Sequence, residues 1–272
     1  MNRLVRISIL SAGLALPLAP ATAQHEGHAD HAAHIAADPI AAAVASPTRT
    51  PANVSRDTDR HPVETLRFFG VTPQQTVVEY APSGGWYTEI LAPLLQDKGK
   101  LIALQPSGRY LDRYKGFLAA SPAAYAKVKL VAFPEDATTI AAGSVDTVLT
   151  FRNTHNMVMS GTEASTFKTF YNVLKPGGIL GIVDHRLPEA SDGALEKSSG
   201  YLKTSTVRRI AEAAGFEYVG SSEINANAKD SADWPKGVWT LPPTLSHGDM
   251  DKAKYQAIGE SDRMTLKFRK PL

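Results

Sequence analysis

The run Val77-Val78-Glu79-Tyr80-Ala81-Pro82-Ser83-Gly84-Gly85-Trp86-Tyr87-Thr88-Glu89-Ile90-Leu91-Ala92-Pro93-Leu94-Leu95 constrains the fold more than any other stretch of this chain. Two β-branched residues lead into an acid, small turn residues follow, and Ile90, Leu91, Leu94 and Leu95 recur at helical spacing, which predicts strand, tight loop and helix. Small residues at such a turn let the backbone approach a ligand at the carboxyl end of the strand. The Glu79 carboxylate can accept hydrogen bonds from hydroxyl or ammonium donors there. Two phosphate-binding loops are excluded. The G-x-G-x-x-G register falls on Ala81, Ser83 and Trp86, and Trp86 would block the close helix approach a pyrophosphate requires; no Gly-Lys-Ser/Thr follows either.

The rest of the chain alternates in the same way. Val63 to Phe69 reads as a helix with Pro62 near its start, and residues 99–105, 128–133 and 145–151 read as strands. Leu174-Lys175-Pro176-Gly177-Gly178 is a helix end and turn before the apolar strand that runs to Asp184-His185-Arg186. Residues 205–214 form a helix stopped by Gly215, and strands follow at 216–224 and 264–268. This order predicts an α/β fold with a largely parallel sheet and helices on both faces. Residues 225–261, with Trp234, Trp239, Pro242 and Pro243, exceed what a minimal sheet needs and form either a cap over the site or a packed surface excursion.

The spacing Glu79, Ala81, Ser83, Gly85 resembles motif I of the class I S-adenosylmethionine-dependent methyltransferases, and Gly84-Gly85-Trp86-Tyr87-Thr88-Glu89-Ile90-Leu91-Ala92-Pro93 resembles an exported branch of that superfamily. The Lys-Pro-Gly-Gly turn before an apolar strand adds to a resemblance that covers about residues 60–272. It implies a Rossmann-like methyltransferase fold, a seven-stranded mostly parallel sheet whose last strand is antiparallel, with S-adenosylmethionine as cofactor. It further implies cofactor contacts from Glu79, Ala81, Ser83, Gly84 and Gly85, with Asp136 near the adenine. Gln105 stands where the family usually places a ribose-binding acid; an amide donates and accepts but supplies no charge.

Ligands in open α/β sheets sit over the carboxyl ends of the strands. Here that edge collects Arg152, Asn153, His155, Asn156, Asp184, His185 and Arg186. His155, with a reference pKa of about 6.5, is the candidate general base, while Arg152 and Arg186 are candidates to orient an anionic substrate. Asp184 or Asn153 could fix the tautomer of a histidine. The competing reading is a local Asp184–Arg186 ion pair and a helix-capping His155.

Residues 1–23 have the order of a secretory leader: Arg3 and Arg6, the apolar run Ile7 to Leu18, then Ala21-Thr22-Ala23 for cleavage. This predicts a periplasmic or secreted protein with no membrane span once the leader is removed. Residues 24–54 read as a His-rich disordered linker, and 55–272 as the folded domain. Its His25, His28, His31 and His34 are either solvated or a weak divalent-metal site. The chain has 272 residues, no cysteine and a formal charge of +2, which excludes a disulfide framework, while the absence of a clustered basic stripe argues against nucleic acid. The leading expectation is a methyltransferase acting on a small molecule. The alternatives are an exported ligand-binding protein that keeps this fold without methyl transfer, and a metal-handling protein centred on the histidine tail.

Overall fold

The computed structural model describes residues 38–272. The leader-like segment and the four tail histidines lie outside the described residues. Strands β1 (Thr76–Tyr80), β2 (Lys100–Pro106), β3 (Val128–Phe133), β4 (Val145–Phe151) and β5 (Leu174–Leu187) are mutually parallel; β7 (Glu217–Ser222) and β9 (Arg263–Arg269) complete the order β3-β2-β1-β4-β5-β9-β7. The last strand, β9, runs antiparallel to both its neighbours, β5 and β7. A two-residue strand, β6 (Leu202–Lys203), lies beside the end of β5, and β8 spans Pro235–Val238. The expected sheet is therefore present, with its reversed final strand. The Lys-Pro-Gly-Gly turn is absorbed into an irregular start of β5, where the pairing with β4 shifts register.

Side chains on the central strands alternate between two cores, as the pleat requires. Val78, Val148 and Ile182 face one side, against Phe167 and Phe170 of the helix Glu163–Val173 and Val207 of the helix Thr204–Ala213. Val77, Leu149 and Val183 face the other. There they meet Leu66 and Phe69 of Pro62–Phe69, and Ile90, Leu91 and Leu95 of Thr88–Leu95. Both faces are covered, so only the strand ends remain for chemistry.

Ordered structure begins well before residue 55. The helix Pro39–Val44 is capped by Asp38, whose carboxylate accepts from Ile40 N at 2.9 Å, and it buries Ile40 and Ala43 against the second core. Arg49 is buried in a two-pronged pair with Asp57 at 2.7 and 2.8 Å and lies over the Trp86 ring. Trp86 Nε1 donates to Asn53 O at 2.9 Å, and the Thr50 amide donates to Glu89 at 3.0 Å. The composition of residues 38–54 suggests a tether because it is poor in large apolar groups. What holds it is the broad face of Trp86, which a guanidinium and its aliphatic stem can cover. The folded domain therefore includes residues 38–54.

Candidate active site

The turn after β1 is held in an uncommon backbone shape, with Ala81 at φ +51°, Ser83 at +54° and Gly85 at +76°. Two non-glycine residues in the left-handed region carry a conformational cost that their surroundings must offset. The neighbouring strand ends supply the restraint. Ser83 N donates to Gln105 Oε1 at 3.0 Å, and Asn153 Nδ2 donates to Ala81 O at 3.3 Å. Gln105, expected at the ribose, and Asn153, expected beside a histidine, thus clamp the loop. Gln105 Oε1 uses one of its two acceptor positions on Ser83 and Nε2 donates to Pro106 O at 3.4 Å, so one acceptor position and one N–H are left to face the cavity.

The expected roles of Gly85 and Asp136 need correction. A Cβ at Gly85 would lie 2.2 Å from the Phe117 ring, so the glycine makes room for protein and not for ligand. Gly84 is the open position: a Cβ there meets nothing within 4 Å, and the residue lines a cavity. Asp136 is exposed ahead of the 3-10 turn Ala137–Thr139 and lines neither cavity at the sheet edge. Glu79 is buried and accepts from Thr88 Oγ1 at 2.6 Å; burial, opposed by that bond, pushes its carboxyl up to about 7.

At the ends of β4 and β5 the polar groups are arranged differently. Asp184 is fully buried and accepts from the His155 amide at 2.9 Å and from the His185 amide at 2.8 Å, and it bonds His155 Nδ1 at 2.8 Å. With a carboxylate as partner, Nδ1 of a neutral His155 carries the proton and Nε2 keeps its lone pair. The ion pair Asp184–Arg186 does not form. Arg186 instead binds Asp262 at 2.8 Å and Glu223 through two 2.8 Å bonds and lines neither cavity.

Arg152, at φ +60°, has a half-buried guanidinium with no hydrogen-bond or ion-pair partner among the described residues, and it lines both cavities. Burial draws it down to about 10, with Glu260 opposing and Arg263 and Arg56 adding to the fall, so it remains a cation at neutral pH. His185 stands with its ring 5.0 Å from that of His155 and its Nδ1 against Ser261 Oγ. Burial first, then the charges of His155, Arg152, Arg263 and Arg60, hold His185 well below the ordinary histidine range.

The larger cavity, of about 520 Å³, runs from Gln105 and Tyr110 past Asn153 to His155 and His185. Val238, Trp239, Pro242, Pro243 and Thr244 form its far wall, so the long excursion after β7 does border the site. The smaller, of about 270 Å³, lies behind the β1 turn beneath Gly84 and is bordered by Arg56, Arg60, Arg113 and Arg152. Sequence reasoning missed Arg56, Arg60, Arg263 and Glu260. The i, i+4 spacing of Arg56 and Arg60 was a signal, but the intervening Asp57 and Asp59 made the segment look self-neutralised. His155, Asp184 and His185 bring metal-type donor atoms within 4.8 Å of one another. Both Nδ1 atoms and both carboxylate oxygens are already hydrogen-bonded, which leaves the Nε2 atoms of the two histidines as the open positions.

No protein-family model and no curated protein matches the chain by sequence. Solved structures do match in three dimensions. A SAM dependent methyltransferase from Aquifex aeolicus superposes with a TM-score of 0.55 at 16% identity, covering 79% of this chain and 92% of its own. A putative sarcosine dimethylglycine methyltransferase from Galdieria sulphuraria gives 0.56 at 14% identity over 81% and 88%. This chain has the methyltransferase fold. The [4+2]-cyclase SpnF shares it as well, at a TM-score of 0.55 and 16% identity over 79% and 81% of the two chains.

Proposed function

We propose that this protein is an S-adenosylmethionine-dependent methyltransferase acting on a small molecule, with His155 as the general base. The observation that carries the reading is the convergence, in one cavity at the carboxyl edge of a methyltransferase-type sheet, of the β1 turn, the Gln105 amide and the Asp184-oriented His155. The residues present fit the cofactor. Gln105 Nε2 can donate to a ribose hydroxyl, Gly84 leaves the turn open to close approach, and the unpaired Arg152 matches a carboxylate. When bound, the cofactor supplies an electrophilic methyl group.

The chain's own contribution is alignment and proton removal. His155 Nε2 takes a proton from the acceptor nucleophile, and Asp184 stabilises the imidazolium that results. Trp239, Pro242 and Pro243 wall the cavity on the side away from the sheet, which limits water at the reacting atoms. Such a base contributes about 10²–10⁴-fold to a rate. His155→Gln is therefore expected to keep cofactor affinity while losing turnover of that order. Calorimetry with S-adenosylmethionine is the first test, and wild-type protein that takes up none sinks the reading.

A second reading has a specific observation behind it. Gln105 brings no carboxylate to the ribose position and is partly committed to Ser83, which favours a ligand-binding protein that retains the fold without methyl transfer. For either reading we place the protein outside the cytoplasm, on the leader-like order of residues 1–23. Intact-mass measurement on a periplasmic fraction tests this, and a species that still carries Met1 counts against it.

A further inference from the structure

Arg56, Arg60, Arg152 and Arg263 gather around a single carboxylate, Glu260. Arg56 Nε reaches it at 2.6 Å, Arg60 Nε at 3.1 Å and Arg263 Nη1 at 3.0 Å. The four cations, led by Arg60 and Arg263, hold Glu260 down to about 2 even though burial works against its charge. Four guanidiniums face Glu260 and, beside Arg152, the Asp184 carboxylate, which leaves an excess of two positive charges; Arg113 adds another at the rim of the cavity, and the Glu79 carboxyl, which also lines it, is pushed up to about 7 by burial. Asp57 does not relieve this, because it is committed to Arg49.

Arg60 and Arg263 are only 4% and 3% exposed, and Arg60 Nη2 and Arg263 Nε are buried without a hydrogen-bond partner. Both share the Glu260 carboxylate, but one carboxylate divided among several guanidiniums leaves these donors unmet, and a buried donor without an acceptor is unfavourable. A void of about 10 Å³ between Arg60, Arg152 and Arg263 has room for about one water, which solvates the inner atoms but supplies no charge. The compensating anion belongs in the adjoining 270 Å³ cavity, onto which Arg56, Arg60, Arg113 and Arg152 border and in which Gly84 leaves the turn open.

We propose that this arginine-lined cavity behind the β1 turn is a binding site for a dianionic oxyanion of the phosphate class, either inorganic phosphate or the phosphate of a phosphomonoester. A carboxylate would neutralise one charge of the excess. A phosphate carries about −1.5 to −2 at neutral pH and has several acceptor oxygens for converging guanidinium forks. The Trp86 ring, which also lines this cavity, lies 4.7 Å from the Arg60 guanidinium and steadies the fork. Arg152 borders both cavities, so a phosphomonoester anchored here directs its organic part towards His155. The site shares Gly84 and Arg152 with the cofactor reading above, but phosphate binding there requires no methyl transfer.

The test is calorimetry of the full chain at low salt and pH 7.5 with inorganic phosphate, glycerol 3-phosphate and acetate as separate probes. S-adenosylmethionine is titrated in parallel as an independent arm. Saturable phosphate or glycerol 3-phosphate binding is expected, at least tenfold tighter than acetate. A tighter phosphomonoester identifies the source as an organic phosphate, and tighter inorganic phosphate identifies the free ion. Arg56→Gln should weaken binding tenfold or more. Arg113→Gln, at an exposed rim position whose loss leaves the core untouched, should weaken it severalfold with an unchanged melting temperature in the absence of phosphate. Binding absent in wild type, equal for acetate, or unaltered by both substitutions overturns the proposal, whatever the S-adenosylmethionine arm reads.

Discussion

The two halves of the sheet edge use the same kinds of residue in opposite ways. Around the ends of β1 and β2, polar groups are committed to protein: Glu79 to Thr88, Gln105 to Ser83, and the Gly85 face to Phe117. Around the ends of β4 and β5 they are oriented but left with capacity: the His155 ring is anchored through Nδ1, and the Arg152 guanidinium has no hydrogen-bond partner among the described residues. The motif that stands out most in the sequence therefore builds a rigid turn. The plainer stretch Arg152-Asn153-Thr154-His155 holds the groups that can react. Rigidity on one side positions a ligand for capacity on the other, since a site must be held by elements that do not themselves move.

That contrast can be broken most forcefully at Glu260. Glu260→Gln removes the shared counter-charge of the arginine cluster, and a loss of about 3–5 kcal/mol in urea unfolding is expected, as for other broken buried pairs. A loss below about 1 kcal/mol would mean that water already solvates the cluster. Next comes a pair of glycines. Gly85→Val combines a left-handed backbone with a 2.2 Å approach to Phe117 and is expected to cost about 3 kcal/mol, whereas Gly84→Val should leave the melting temperature nearly unchanged and abolish ligand uptake in the smaller cavity. The reverse order would return the ligand to Gly85.

Glu79 gives a pH signature of slightly smaller size. Its folded pKa of about 7 lies above the ordinary glutamate value of 4.5, so the native state binds the proton more tightly than the unfolded chain. Stability from this group is fully present below about pH 4.5 and is lost as pH rises to about 7, in total roughly 3 kcal/mol at most. Glu79→Gln keeps an acceptor for Thr88 and should exceed wild type in stability at pH 8 while matching it at pH 4. Parallel unfolding curves at both pH values would show that the carboxyl is solvated. The smallest effect is expected at Gln105→Ala, about 1 kcal/mol for the lost bond to Ser83 N, read by thermal unfolding together with weaker S-adenosylmethionine uptake.

The strands were legible because β-branched runs bounded by turn residues leave little else to form, and the helix after β1 because Ile90, Leu91, Leu94 and Leu95 share a face. Arg152, Asn153, His155 and Asp184 were legible as strand-end residues, since topology alone brings the ends of β4 and β5 together. Partnerships were not. Whether Gln105 meets a ribose or Ser83 depends on a side chain's reach across a turn, and whether Asp136 faces in or out depends on the short helical turn that follows it. Nor could composition reveal that residues 38–54 pack, because the deciding surface, Trp86, lies in another element.

The pairing of Arg56 and Arg60 with Glu260 joins residues 204 and 200 positions apart. Closing so long a loop costs chain entropy before any contact rewards it. The arginines near the start of the domain must therefore wait for nearly the whole chain before their counter-charge arrives, and β9, which begins three residues after Glu260, must dock between β5 and β7 in the same event. The cavity behind the turn is thus among the last parts of the molecule to assemble, and a chain that emerges from one end during synthesis carries an open, unbalanced cationic surface until its final residues are in place.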